Sequence, residues 1–226
     1  MIPSDVHAVV FDAVGTVIFP DPPAALVYFE VGKTFGSRLA AHVIHTRFRR
    51  AFGQQEEIDH LAGLRTSEER EVERWRQIVS QVLDDISDKE ACFRELFDRF
   101  SDPSAWRCDE QVEPVLAKLA SRGYALGLAS NYDRRLRRVV AGLPTLTRLE
   151  RLIISSEVGW RKPAPEFFAS VSETFDLPGS QILYVGDDLT NDYEGARSAG
   201  MRSVLYDPRR AAPPVTDRIT RLTDLL

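Results

Sequence analysis

The sequence predicts an α/β protein: a doubly wound parallel sheet with a helical insert after its first strand. Three observations carry this. From Tyr124 onward the chain alternates strand-like and helix-like patterns without a break. A short apolar run, Ala8-Val9-Val10-Phe11, stands apart near the N-terminus. Between the two lies a long block with helical periodicity and no convincing strand. Strict alternation implies a parallel sheet covered by helices on both faces. An isolated strand is not stable alone, so the first run must join that sheet.

Taken in order, Ala8 to Phe11 are β-formers that lead into Asp12, and Gly15-Thr16 lets the backbone turn at once. Phe19-Pro20-Asp21-Pro22-Pro23 is a proline cluster expected to be loop or linker. Residues 24 to 52 are expected to be helical with a break near Gly36-Ser37, and Gly53 to Leu64 to be a loop that either lines the crevice between cap and core or is an exposed connection. Thr66 with Glu69 suggests a capping box. Beyond it Val72, Trp75, Val79, Val82 and Ile86 recur at three-and-four spacing, the apolar stripe of an amphipathic helix. Ser87 with Glu90 opens another, with Phe93, Leu96, Phe97 and Phe100 along one face. Pro103 marks a second linker.

A helix is expected from about Pro114 to Gly123, since proline suits a first turn and glycine a C-terminal cap. Strands follow at Tyr124–Ala129, Leu149–Ile154, Gln181–Val185 and Ser203–Tyr206. Helices are expected at Asp133–Ala141, Pro165–Phe175, Asn191–Ala199 and Thr216–Leu226. Residues 1–19 and 109–226 would form the core and residues 20–108 the helical cap. No repeat or low-complexity tract interrupts the chain.

Composition narrows the function. With 43% hydrophobic residues among 226, the chain can bury a proper core. A formal charge of -5, with 25 arginines and four lysines scattered, argues against general binding to nucleic acid or anionic membrane. No apolar run is long enough to span a bilayer, and the first strand lacks the shape of a signal peptide. Cys92 and Cys108 are too few for a disulfide framework and are expected to be buried thiols. A cytoplasmic location is expected.

The chemistry sits at strand tips. Asp12 ends the first strand, Ser130-Asn131 the next, and Gly186-Asp187-Asp188-Leu189-Thr190-Asn191-Asp192 a third. Gly159-Trp160-Arg161-Lys162-Pro163-Ala164-Pro165 places a lysine in a proline-braced loop before a helix. In a parallel sheet these tips share one edge, so Asp12, Ser130, Lys162 and Asp187 can meet in one crevice. A carboxylate nucleophile needs its partner's negative charge offset. Asp12 with Asp187 makes a hard oxygen site suited to Mg²⁺. Lys162, the hydroxyls of Thr16 and Ser130, and backbone N–H groups after Asp12 suit an anionic substrate.

The order Asp-x-x-Gly-Thr, Ser-Asn, Lys-Pro, Gly-Asp-Asp-x-x-Asn-Asp resembles the haloacid dehalogenase superfamily of hydrolases, in the subgroup with an α-helical cap after the first motif. The resemblance implies a Rossmann-like core, a covalent intermediate on Asp12, and usually Mg²⁺. Carried over, it makes Asp12 nucleophile and metal ligand, with Lys162 and Ser130 also catalytic. The carbonyl of Val14 and the carboxylate of Asp187 would bind the metal, and Asp192 would orient the metal waters or Lys162. Thr16, Ser130, Asn131 and Lys162 would bind a small, anionic substrate.

One position departs. Phosphatases of this family resemble Asp-x-Asp-Gly-Thr, and their second Asp works as acid and base; here it is Val14. Positioned acid–base catalysis is typically worth about 10² to 10⁴ in rate. Family dehalogenases resemble Asp-x-Tyr-Gly-Thr, because a leaving halide needs no proton, and they work without metal. Phosphonatases resemble Asp-x-Ala-Gly-Thr and use a cap lysine, whereas the cap lysines here are only Lys33 and Lys89. The intact acidic turn favours a Mg²⁺-dependent phosphatase. A metal-independent dehalogenase and a lapsed enzyme kept as a binding protein are the alternatives.

Among other residues, Asp188 is expected to cap its helix, and Asn131 either touches substrate or caps the helix after it. His42 and His45 are expected to be solvated or packing residues, and Trp75 part of the cap's core.

Overall fold

The computed structural model describes residues 2–226. In chain order its elements are β1 (Ala8–Phe11), β2 (Ile18–Pro20), α1 (Ala24–Thr34), α2 (Ala41–Leu61), α3 (Glu68–Val82) and α4 (Lys89–Arg99). There follow β3 (Trp106–Cys108), α5 (Val112–Ser121), β4 (Ala125–Ser130), α6 (Arg135–Ala141), β5 (Arg151–Ile154), α7 (Ser155–Val158) and α8 (Pro165–Phe175). The chain closes with β6 (Ile182–Gly186), a wide π-helical turn over Leu189–Glu194, α9 (Gly195–Ser198), β7 (Arg202–Tyr206) and β8 (Arg218–Ile219).

Six strands form one parallel sheet in the order β5-β4-β1-β6-β7-β8. The expected doubly wound α/β core is therefore present. β1 lies between β4 and β6, where the strand order reverses direction, which is where such sheets bind ligands. Side chains alternate across it: Val9 and Phe11 join one apolar cluster, Ala8 and Val10 the other. Burial on both faces explains why this strand reads as a continuous apolar run.

Helices α1 to α4 build a third apolar cluster of their own, around Tyr28, Ile44, Ile78, Val79, Val82 and Leu96. Trp75 packs against this cluster half-buried and also faces a cavity. His42 and His45 are exposed on α2. Among the described residues, no helix is long and apolar enough to cross a membrane.

Several local expectations are corrected. Phe19 and Pro20 are not loop: they form β2, an antiparallel ribbon with β3. A two-stranded ribbon is all edge, so proline is tolerated there. Gly53 to Leu61 is not a connection but the second half of α2, held by ion pairs of Glu56 and Asp59. The cap of α3 is Ser67, whose side chain accepts from Arg70 N–H, while Thr66 donates to Glu71 instead. Asp88, not Ser87, caps α4. Thr216–Leu226 is not a helix. The open edge of β7 captures this segment through Leu205 N–H to Asp217 O (2.8 Å) and Asp207 N–H to Ile219 O (2.9 Å). Leu222 and Leu225 then pack into the core in a short 3₁₀ turn. Cys92 is buried, but Cys108 only half so.

Candidate active site

Three strand ends and one loop deliver the site. β1 ends at Asp12, whose N–H donates to Val185 O at 2.8 Å, tying the tip of β1 to β6. Gly15 follows with φ +99°, and a Cβ there would collide with the Asp187 carboxylate. Only glycine meets both demands. Gly186 is equally confined, because a Cβ would run into Asp192. The two glycines let the acidic turn close over the tip of β1.

Lys162 enters from the loop before α8 and is 3% exposed. Its ammonium donates to Asp12 Oδ1 and Asp192 Oδ1, each at 2.6 Å, and contacts Tyr184 Oη at 3.0 Å and Ala129 O at 3.3 Å. Burial alone would lower the lysine's pKa, but Asp12 and Asp192 overcome it and hold Lys162 well above its ordinary value. Asp192 is pushed upward by its burial, and its second oxygen accepts from Asp188 N–H at 3.0 Å.

Asp187 differs from its neighbours. Its carboxylate reaches solvent at the mouth of the crevice, and it accepts a hydrogen bond from Thr16 Oγ1 at 3.2 Å. Protein packed around it, and then the charges of Asp12 and Asp192, push Asp187 up to about 8. Oxygens of Asp12, Asp187 and Asp192 lie within 4.8 Å of one another. Three hard oxygen donors sharing one positive neighbour fit a divalent cation, which would relieve the repulsion among them.

The remaining predicted residues fall nearby in different ways. Ser130 ends β4 and is 3% exposed. Thr16 is fully buried inside the turn, with its hydroxyl given to Asp187 rather than to the crevice. Asn131 takes a third role, not the helix cap: its amide donates to Lys162 O (3.1 Å) and accepts from Lys162 N–H (2.7 Å), clamping the lysine loop. Asp188 caps the turn after β6, accepting from Thr190 and Asn191 N–H. Lys33 is exposed, and Lys89 contacts Ser80, so neither joins the site. Val14 is half-buried and, with Asn131, lines a cavity of about 300 Å³.

Two participants escaped sequence reading. Tyr184, on β6, gives its hydroxyl to Ala129 O at 2.7 Å while receiving Lys162. Its only sequence signal is one polar-tipped ring in an otherwise apolar strand. Arg161, beside Lys162, is buried among Glu71, Glu56 and Asp59 of α3 and α2. Long-range pairs of this kind leave no local pattern.

A family model for the haloacid dehalogenase-like hydrolases matches residues 6–200. The chain belongs to the haloacid dehalogenase-like hydrolases. It is 27% identical over 218 residues to haloacid dehalogenase-like hydrolase domain-containing protein 3 of Bos taurus, covering 92% of this chain and 85% of that protein. Over 43% of the chain and 39% of the relative it is 35% identical to a phosphoserine phosphatase of Thermus thermophilus. Two solved structures share the fold. The HAD-hydrolase YfnB of Bacillus subtilis, bound to magnesium, superposes with TM-score 0.77 at 17% identity, covering 97% of this chain and 96% of that one. The L-2-haloacid dehalogenase of Xanthobacter autotrophicus, with chloropropionic acid covalently bound, gives 0.75 at 17% identity and the same coverage. Phosphatases and dehalogenases thus both occur among the proteins this haloacid dehalogenase-like hydrolase is similar to.

Proposed function

We propose that this hydrolase is a Mg²⁺-dependent phosphatase of small phosphorylated compounds, working through an aspartyl-phosphate on Asp12. The observation that supports it is the three-carboxylate cluster, in which Asp187 sits at the crevice mouth with its carboxyl pushed up by its neighbours. A dehalogenase acting at carbon has no use for such a cation site.

On this reading Asp12 attacks phosphorus. Lys162 offsets the charge of nucleophile and phosphoryl group together, since its ammonium already bridges two carboxylates. Ser130 and Lys162 hold phosphoryl oxygens, and Asn131 fixes the lysine loop. Thr16 acts through Asp187. Asp12, Asp187, Asp192 and the carbonyl of Val14 would hold Mg²⁺, which supplies charge stabilisation on the transferring oxygens. Residues 1–19 and 109–226 serve as core and 20–108 as cap, with the β2–β3 ribbon straddling the boundary. A cytoplasmic location suits a small-metabolite enzyme.

The test is phosphate release from a panel of small phosphate esters, with Mg²⁺ or EDTA. Turnover that needs Mg²⁺ and vanishes in Asp12→Asn is expected; turnover untouched by Asp12→Asn overturns the mechanism. A second reading, metal-independent displacement of halide from carbon, is favoured by one feature, the apolar Val14 where a proton donor would stand. EDTA-insensitive halide release from short 2-haloacids would establish it.

A further inference from the structure

The cavity beside Val14 has a chemistry of its own. It is walled by Val14 and Asn131 at the strand tips and by rings that include Tyr28, Phe48, Trp75, Phe97 and Trp106. Aromatic edges meet aromatic faces around it: Tyr28 and Phe48 lie 5.0 Å apart at 73°, and Phe100 and Trp106 lie 5.9 Å apart at 63°. Among its described lining residues there is no carboxylate, imidazole or lysine.

The groups that can titrate there are poor proton donors. Burial pushes the phenols of Tyr28 and Tyr132 well above their ordinary value. Arg135 is the one charged lining residue. It is spent on Asp133 through two hydrogen bonds, 2.8 and 2.7 Å, and on Phe97 O at 3.0 Å, with its guanidinium 3.5 Å from the Phe97 ring centroid. Val14, two residues past Asp12, and Asn131, next to Ser130, thus border a chamber that is aromatic and without an acid.

We propose that this cavity is the leaving-group site and that the substrates are aryl phosphate monoesters. The inference rests on the phosphatase reading above. Rings suit the walls, because aromatic pairs prefer the edge-to-face and offset contacts already present there. Phenols suit the missing acid. A phenol has a pKa of about 10, against about 15.7 for water, whose conjugate base is close in basicity to an alkoxide. An aryl oxygen therefore departs unprotonated where an alkyl oxygen would not.

The step balances without a general acid. An Asp12 oxygen bonds to phosphorus as the bond from phosphorus to the aryl oxygen breaks, and the electron pair leaves with the phenolate. Water then attacks phosphorus, releasing Asp12 and inorganic phosphate. The proton shed by water and the one taken up by the phenolate both exchange with solvent, so the sum is ester plus water to phenol plus phosphate.

The experiment compares wild type and Val14→Asp, with Mg²⁺, on substituted phenyl phosphates of graded phenol acidity and on hexyl phosphate. For the wild type we expect kcat/KM at least about 10²-fold higher for the aryl esters, rising steeply with phenol acidity, and phenol as a competitive inhibitor. Val14→Asp, by restoring a proton donor, raises turnover of hexyl phosphate by about 10²-fold or more and flattens the dependence on acidity. Equal efficiency on aryl and hexyl esters, abolished by Asp12→Asn, overturns this inference and leaves the phosphatase standing. No phosphate release from any ester overturns the phosphatase reading and the inference with it.

Discussion

Arg161 pairs with Glu71 of α3, and both side chains are buried, at 4% and 2% exposure. The residue directly before Lys162 is thus anchored in the helical layer. The backbone joins there too: Thr66 N–H donates to Gly159 O at 3.0 Å and Arg161 N–H to Leu64 O at 2.9 Å. Glu56 and Asp59 complete the grip from α2, at 3.2 and 3.5 Å. Lys162 is positioned by helices that carry none of the four family motifs.

Arg161→Met is expected to destabilise the fold by about 3–5 kcal/mol, because it strands buried carboxylates without their partner. Urea unfolding measures it, and adding Glu71→Leu should restore part of the loss. A change within about 0.5 kcal/mol would show that Arg70 and Arg74, which also pair with Asp59, suffice.

The acidic cluster predicts a coupling between pH and Mg²⁺. Asp187 holds its proton up to about 8 in the folded chain, against 3.8 ordinarily. Between those values the folded state keeps a proton that the unfolded chain has released, so this group's contribution to stability falls as pH rises from about 4 to 8. Mg²⁺ binds the deprotonated carboxylates and competes with protons. Thermal melts should show a larger Tm increase from Mg²⁺ at pH 8.5 than at pH 5.5. A larger shift at the lower pH, or none at either, contradicts the assignment.

Tyr184→Phe keeps the ring and removes the hydroxyl shared by Lys162 and Ala129 O. A cost of about 1–3 kcal/mol in stability is expected, the penalty for leaving buried polar partners short. Turnover should fall as well, since the ammonium loses one of its fixed contacts. A neutral stability change would mean that the existing contact of Lys162 with Ala129 O, at 3.3 Å, satisfies that carbonyl once the hydroxyl is gone.

Gly15→Ala should abolish turnover while much of the fold survives. The methyl group would have to occupy the space of the Asp187 carboxylate at a backbone angle that alanine rarely adopts. The expected signature is loss of the Mg²⁺-induced Tm shift together with activity, read against an unchanged far-ultraviolet circular dichroism spectrum. An active, Mg²⁺-responsive variant would refute the packing argument.

The site was legible in the sequence to the extent that strand tips announce it. Asp12, Ser130 and Asp187 follow apolar runs, and a parallel sheet brings all such tips to one edge. Lys162 was legible through its proline-braced loop. Tyr184 and Arg161 were not, because their partners lie 55 and 90 residues away for the Ala129 and Glu71 contacts. The last eleven residues misled for a related reason: Leu222 and Leu225 fit helical spacing, but the free edge of β7 had a stronger claim on the backbone before them. Thr16 and Asn131 bond to Asp187 and Lys162, partners far along the chain that no local pattern announces.

The ribbon of β2 and β3 has an evolutionary consequence. Pro20 pairs with Trp106, so the chain leaves for the helices and returns from them through one doorway. Opposed residues in such a ribbon sit only about 5 Å apart. Everything between could be traded for a short turn, or for another block, without shifting β1 or the sheet. The crevice at the strand tips and the helical block can therefore be inherited, lost or replaced on separate schedules.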